Sequence, residues 1–315
     1  PFEIQSLPTY YLPDLLNAAL LSIFLLAVAS QTDLVAGILL LLLFLSREST
    51  ILIAATVIPI AIMAHRRTLG VAAIAATVAG VAITHYFAAL GPANVHGLPD
   101  FYYLTFKVGY NALHNLAGIK LSVPSGRMKP CRPEWILTLP SVLRTSYLSQ
   151  LGICQWNPYQ PVATIGAWLT GFGAAPAITI WCALKVRNEI LRAPTWTLIA
   201  AVYGVLAFAI GPLTGTGVDR LIGYGWPLFL VAMPYFFGRV CNWERATMAT
   251  LLGCHAALFA INFATPPLFA RLSADHRAPV GALLDAAALA LQIGAYRTLA
   301  RTTSETTRAA LATQT

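Results

Sequence analysis

Charge is what this sequence has least of. Of 315 residues only 10% are Asp, Glu, Lys or Arg, against roughly 25% in an ordinary soluble domain. A water-soluble chain of this length needs far more polar surface. Segments such as 34–45 and 71–83 hold no charge at all. Cysteine is sparse too, with five residues and no CxxC, and there is no HExxH. Zinc and haem centres are therefore not indicated, and neither a metal nor another cofactor is expected. No internal repeat stands out, which speaks against a fold assembled from inverted repeats.

Apolar residues are abundant: they make up 57% of the chain, with a mean hydropathy of +0.68. Within hydrocarbon every unpaired backbone polar group costs several kcal/mol, so spanning segments must be helices or closed barrels. The apolar runs here are continuous and do not alternate, which excludes barrel strands. The expectation is an all-α, polytopic transmembrane bundle. With ~20 residues per span, about nine segments emerge, near 12–29, 34–45, 50–64, 69–90, 162–184, 195–213, 221–237, 247–264 and 281–299. The division is 1–90 (N-terminal membrane helices), 91–161 (a long, partly helical outer-face cap), 162–299 (C-terminal membrane helices) and 300–315 (a cytoplasmic tail). The chain opens at Pro1 without Met or a signal-peptide pattern, and is read as a fragment whose native beginning lies upstream.

The net charge is +8. Its basic residues gather at the ends of apolar segments, at His65 to Arg67, Lys185 to Arg192, Arg239 to Arg245 and Arg297 to Arg308. That pattern is the positive-inside rule and not a nucleic-acid surface. All four clusters fall on one side, read as cytoplasmic. The stretches 91–161, 211–220 and 265–280 then face outward. Segment 34–64 as one helix would be about 46 Å long, too long for a ~30 Å hydrocarbon core. Two short helices meeting at Arg47-Glu48, near the outer face, are expected instead. Cys131 and Cys154 both fall in the long outer stretch. An oxidising compartment would let them pair, while two unpaired thiols are the other possibility.

Three features carry polar chemistry. Arg47 and Glu48 interrupt apolar sequence, where charges are costly and functional by default. The competing reading is an ion pair that only ends two helices. Arg220, beside Asp219 and followed by Tyr224 and Trp226, offers a planar fork of donors suited to phosphate or carboxylate. The alternative there is a local ion pair within an aromatic belt. In 101–116, FYYLTFKVGYNALHNL, the residues Lys107, Asn111, His114 and Asn115 share one helical face. Such a helix lies at the outer surface, with that face toward a ligand or simply toward water. Together these groups suit an anionic, lipid-linked phosphate.

The chain resembles the C-terminal portion of a GT-C-type membrane glycosyltransferase of the bacterial, polyprenyl-phosphate-sugar-using kind. The resemblance rests on SREST at 46–50, on YNALHNLAGI at 110–119, PEWILTLPS at 133–141 and GICQWNP at 152–158, and on GPLTGTGVDRLIGYGWPLF at 211–229. It implies sugar transfer from a lipid-phosphate donor to an acceptor at the outer face of a bacterial inner membrane. Its partners would be membrane lipid and the lipid-linked sugar, with no nucleic acid. It also implies a catalytic acid in an outer loop upstream of Pro1, which would leave this fragment inactive alone. Asp14 begins a later span and receives no such role. Two other classes compete: a secondary transporter or lipid flippase, and a non-catalytic membrane subunit.

Overall fold

The computed structural model describes residues 12–46, 50–90, 100–121, 153–215, 218–241 and 244–312. The elements among the described residues are helices apart from one short ribbon. Four helices come first: α1 (Leu12–Ala29), α2 (Asp33–Ser46), α3 (Ile51–Met63) and α4 (Arg67–Leu90). Helix α5 (Asp100–Ala117) leads into strand β1 (Ile119–Leu121), which pairs antiparallel with β2 (Ile153–Trp156). Then come α6 (Tyr159–Thr170), α7 (Ala175–Val186), α8 (Thr195–Thr214) and the short α9 (Val218–Gly223). A π-helical stretch (Leu228–Ala232) runs into α10 (Met233–Val240), and α11 (Arg245–Arg271) and α12 (Ala274–Ala312) complete the described chain.

The first four helices and α8 share one core, centred on Phe24, Leu40, Leu43, Ile53, Val57 and Leu69. Helices α2 and α4 approach closely because glycines face bulk across the contact. A Cβ on Gly37 would lie 2.8 Å from the Ala72 Cβ, and one on Gly80 would lie 2.6 Å from the Phe44 Cβ. Two tight turns close one end. Gln31 and His65 take left-handed backbone angles (φ 58° and 55°). The Arg66 guanidinium joins the turns, pairing with the Asp33 carboxylate and donating to the Val28 carbonyl at 2.9 Å. At the opposite end Asn17 donates to Ser46 (3.2 Å), and the Thr50 hydroxyl donates to the Leu43 carbonyl (2.9 Å). The Leu43 carbonyl also accepts from the Ser46 hydroxyl (2.7 Å), so two side chains serve an acceptor freed at the end of α2.

A second core joins α7, α10, α11 and α12 around Trp181, Phe237, Leu258, Ala288 and Leu299. Outward faces are strongly apolar, with Leu283 72%, Leu252 68% and Val71 68% exposed. A soluble protein rarely shows so much contiguous apolar surface. On a membrane protein these faces meet lipid.

Among the described residues five helical stretches are long and apolar enough to cross a membrane: Arg67–Phe87, Thr195–Leu213, Leu221–Val240, Arg245–Arg271 and Ala274–Thr302. A sixth is obtained if α6 and α7, bent by 62° at their junction, form one span. About nine apolar segments were expected, with 34–64 divided into two short helices, and the three helices Asp14–Ala29, Asp33–Ser46 and Ile51–Met63 are indeed apolar but shorter than a full span. Helices α2 and α3 have 14 and 13 residues, about 21 and 20 Å of rise, short of a ~30 Å core. The expected segment 162–184 is not continuous either. Nor is 265–280 a loop: helix continues to Arg271 and resumes at Ala274, leaving only Leu272 and Ser273 between. Likewise, most of 211–220 is helical, with α8 reaching Thr214 and α9 starting at Val218.

Candidate functional site

Two places gather polar groups. The first is the end of the bundle where α5 docks. Asn115 is fully buried there and acts as a clamp. Its amide donates to the Pro212 carbonyl (2.5 Å) and the Gly215 carbonyl (2.8 Å) at the end of α8. Its side-chain oxygen accepts from Gln160 (3.2 Å), and its backbone carbonyl accepts from Thr164 (2.8 Å). The chain then turns at Gly118, whose φ is +71°; a Cβ there would sit 2.2 Å from the Asn157 carbonyl oxygen. Asn157 in turn donates its backbone N–H to the Gly118 carbonyl (2.8 Å).

The Asn111–Asn115 part of the polar side of α5 therefore faces protein. Asn111 is buried beside Asn115, and His114, half-buried, stacks on Tyr110 with ring centroids 6.0 Å apart. Spacing along the sequence defines which residues share a face, but not what the face meets. Lys107 lies one turn before Asn111 on the same helix. Arg220 lies on α9, five residues beyond Gly215. The Tyr224 hydroxyl donates to the Asp14 carboxylate, tying the segment after α9 to the start of α1. Arg47, Glu48 and Cys131 lie outside the described residues, and Cys154 sits on strand β2.

The second place is a cavity of about 690 Å³ among α1, α6, α7, α11, α12 and the segment after α9. Its origin is the break between α6 and α7. Gly173 is left-handed (φ +55°) and packs against His255, whose Nδ1 would lie 2.4 Å from an added Cβ. A break frees backbone groups that must be paired inside a membrane. Gln292 pairs three of them. Its amide donates to the Leu169 and Gly173 carbonyls, each at 2.7 Å, and its oxygen accepts from the Ala177 N–H at 3.2 Å. His255 Nδ1 accepts from the Ala174 N–H (3.2 Å). Asn262 donates to the Thr170 hydroxyl (2.9 Å), which donates to the Gly166 carbonyl (2.7 Å).

Six aromatic residues line this cavity: Tyr159, Phe172, Trp226, Phe229, Phe259 and Phe269. Among the described residues its one carboxylate is Asp285. The carboxylate lies against Gly166, where a Cβ would stand 2.7 Å from Oδ1. Asp285 forms no hydrogen bond or ion pair with any described residue, and no Lys or Arg is among the lining residues. Neither Asp285 nor His255 was singled out from the sequence, where attention fell on charges at segment ends. The available signal was an ionisable residue inside an apolar run, GALLDAAALALQ or LLGCHAALF.

Among the described residues no group of three or more His, Cys, Asp or Glu comes together to hold a metal ion. No family model, curated protein or solved structure matches the chain.

Proposed function

We propose that this chain belongs to a membrane glycosyltransferase that moves a sugar from a lipid-phosphate donor to an acceptor at the outer membrane face. The observation that supports the reading is the Asn115 clamp. It fixes α5, which carries Lys107 and His114, against the end of α8, five residues before Arg220 in the chain. Cationic donors at such a place stabilise charge developing on a leaving lipid phosphate. Arg220 is the phosphate-binding group in this scheme, Lys107 and His114 assist it, and Tyr224 orients the segment through Asp14. Arg47 and Glu48, which lie outside the described residues, are further candidates for the phosphate site in this reading. The short helices α1, α2 and α3 complete nine membrane segments, the Arg66 end is cytoplasmic and the α5 end is outside, in a bacterial inner membrane.

The test is transfer from radiolabelled polyprenyl-phosphate sugars, using membranes that contain the full gene product. Arg220→Ala should lower transfer about 10- to 100-fold, the equivalent of one charge-assisted hydrogen bond. Unchanged transfer removes Arg220 from the phosphate site. No transfer from any such donor sinks the proposal.

One observation favours a second reading, a secondary transporter. A helix broken by 62° faces a cavity that holds an intramembrane acid, and transporters place substrate sites at such breaks. Solute uptake by reconstituted vesicles, without sugar transfer, would select this reading over the first.

A further inference from the structure

We propose that the cavity beside the α6–α7 break binds a hydrophobic organic cation, with Asp285 as its counter-ion. The proposal does not rest on the transferase reading.

Four observations combine. The volume, about 690 Å³, falls within the ~300–1,000 Å³ typical of small-molecule sites. The wall is mostly apolar and bears six aromatic side chains, drawn from α6, α11, the α6–α7 break and the segment after α9. Aromatic faces carry negative potential and attract cations, the more so where water is excluded. The single acid, Asp285, meets no cationic partner among the described residues. A carboxylate surrounded by apolar groups is costly unless compensated, and here a ligand is left to compensate it.

Two other polar side chains of the wall are already engaged: Nδ1 of His255 accepts from the Ala174 N–H, and Asn262 donates to Thr170. The buried Trp226 indole N–H meets no partner among the described residues. It is a single neutral donor and does not offset the carboxylate. Anion recognition is disfavoured, because no Lys or Arg lines the space and the carboxylate would repel a phosphate. This charge pattern is the reverse of the one expected around Arg220, so a lipid phosphate and a cation would occupy different places. Gly166 is part of the site. With no side chain of its own, it lets the Asp285 carboxylate lie against α6 at the cavity wall.

The experiment uses purified protein in a non-ionic detergent and two probes of the same shape and opposite charge. Equilibrium binding of radiolabelled tetraphenylphosphonium and, separately, of tetraphenylborate is measured. Saturable binding of the cation, at least about tenfold tighter than of the anion, is expected. Asp285→Asn should weaken the cation by at least about tenfold, and Asp285→Glu should retain most of the binding. Phe259→Leu, which leaves the carboxylate in place, should weaken the cation about threefold or more and serves if Asp285→Asn does not fold. Equal binding of both probes, no saturable cation binding, or an Asp285→Asn protein that binds as tightly as the parent each overturns the proposal. The readout is binding and not sugar transfer, so it is independent of whether the transferase assay succeeds.

Discussion

The helices before residue 90 and those after residue 158 stabilise themselves by different means. In α1–α4 the contacts are made by shape. Gly37 meets Ala72, Gly80 meets Phe44, and the helices run unbroken between tight turns. In the later half the backbone itself is interrupted, and side-chain amides repair it. Gln292 serves the α6–α7 break and Asn115 serves the end of α8. Close packing of small residues leaves no room for a guest. A break held open by hydrogen bonds does, and the cavity lies beside it, with α1 of the first half adding only Ala18 and Ser22 to its wall. The comparison assigns scaffold to one half and adaptable space to the other, because lipid provides no hydrophobic drive between helices and each half must find another source of cohesion.

The largest effect tests the repaired break. Gln292→Leu removes three hydrogen bonds and leaves two carbonyls and one N–H without partners. A loss of about 2–4 kcal/mol is expected, above the ~0.6 kcal/mol of an average interhelical bond because the orphaned groups are backbone and buried. Unfolding in graded denaturing detergent measures it. A loss below about 1 kcal/mol would mean that the break is held by packing, as the first half is.

Next comes the shape-built contact. Gly80→Ala places a methyl 2.6 Å from both Cβ and Cγ of Phe44. Phe44 Cβ is anchored to backbone and cannot rotate away, so α2 and α4 must separate. Overpacking of this kind costs about 1–3 kcal/mol. The companion change Gly253→Ala, on α11, meets nothing within 4 Å and should be neutral or slightly stabilising, since Ala is the better helix former. If both glycines respond alike in thermal unfolding, close approach is not what distinguishes the first half.

These cases also show what could be read in advance. Long apolar runs without charge announce helices in lipid, because only helices or closed barrels satisfy the backbone there. The polar spacing through Asn111 and Asn115 announces a shared face. What that face touches depends on Pro212 and Gly215, about a hundred residues away, and no local pattern encodes it. The break at Gly171 to Ala174 is similarly hidden. A run such as GFGAAPA is compatible with an unbroken span until Gln292 and His255 arrive from distant helices to accept its free groups. Asp285 was visible as a lone acid in an apolar run, but only the fold gives it aromatic neighbours.

The smallest effect concerns the Arg66–Asp33 ion pair, which joins two turns of the first half. Arg66 and Asp33 have side chains 17% and 15% exposed, and Arg66 also donates to the Val28 carbonyl at 2.9 Å. Removing the two partners has different consequences. Asp33→Asn leaves Arg66 its carbonyl acceptor and a neutral amide. Arg66→Met leaves the Asp33 carboxylate without its cation, while the Val28 carbonyl keeps the Gln31 N–H (3.3 Å). Both changes should cost about 1 kcal/mol or less, with Arg66→Met the larger, and a double-mutant cycle should return a coupling below about 1 kcal/mol. A coupling of several kcal/mol would show that charge, and not the fit of Gly37 and Gly80, holds these short helices together, and the contrast between the two halves would then fail.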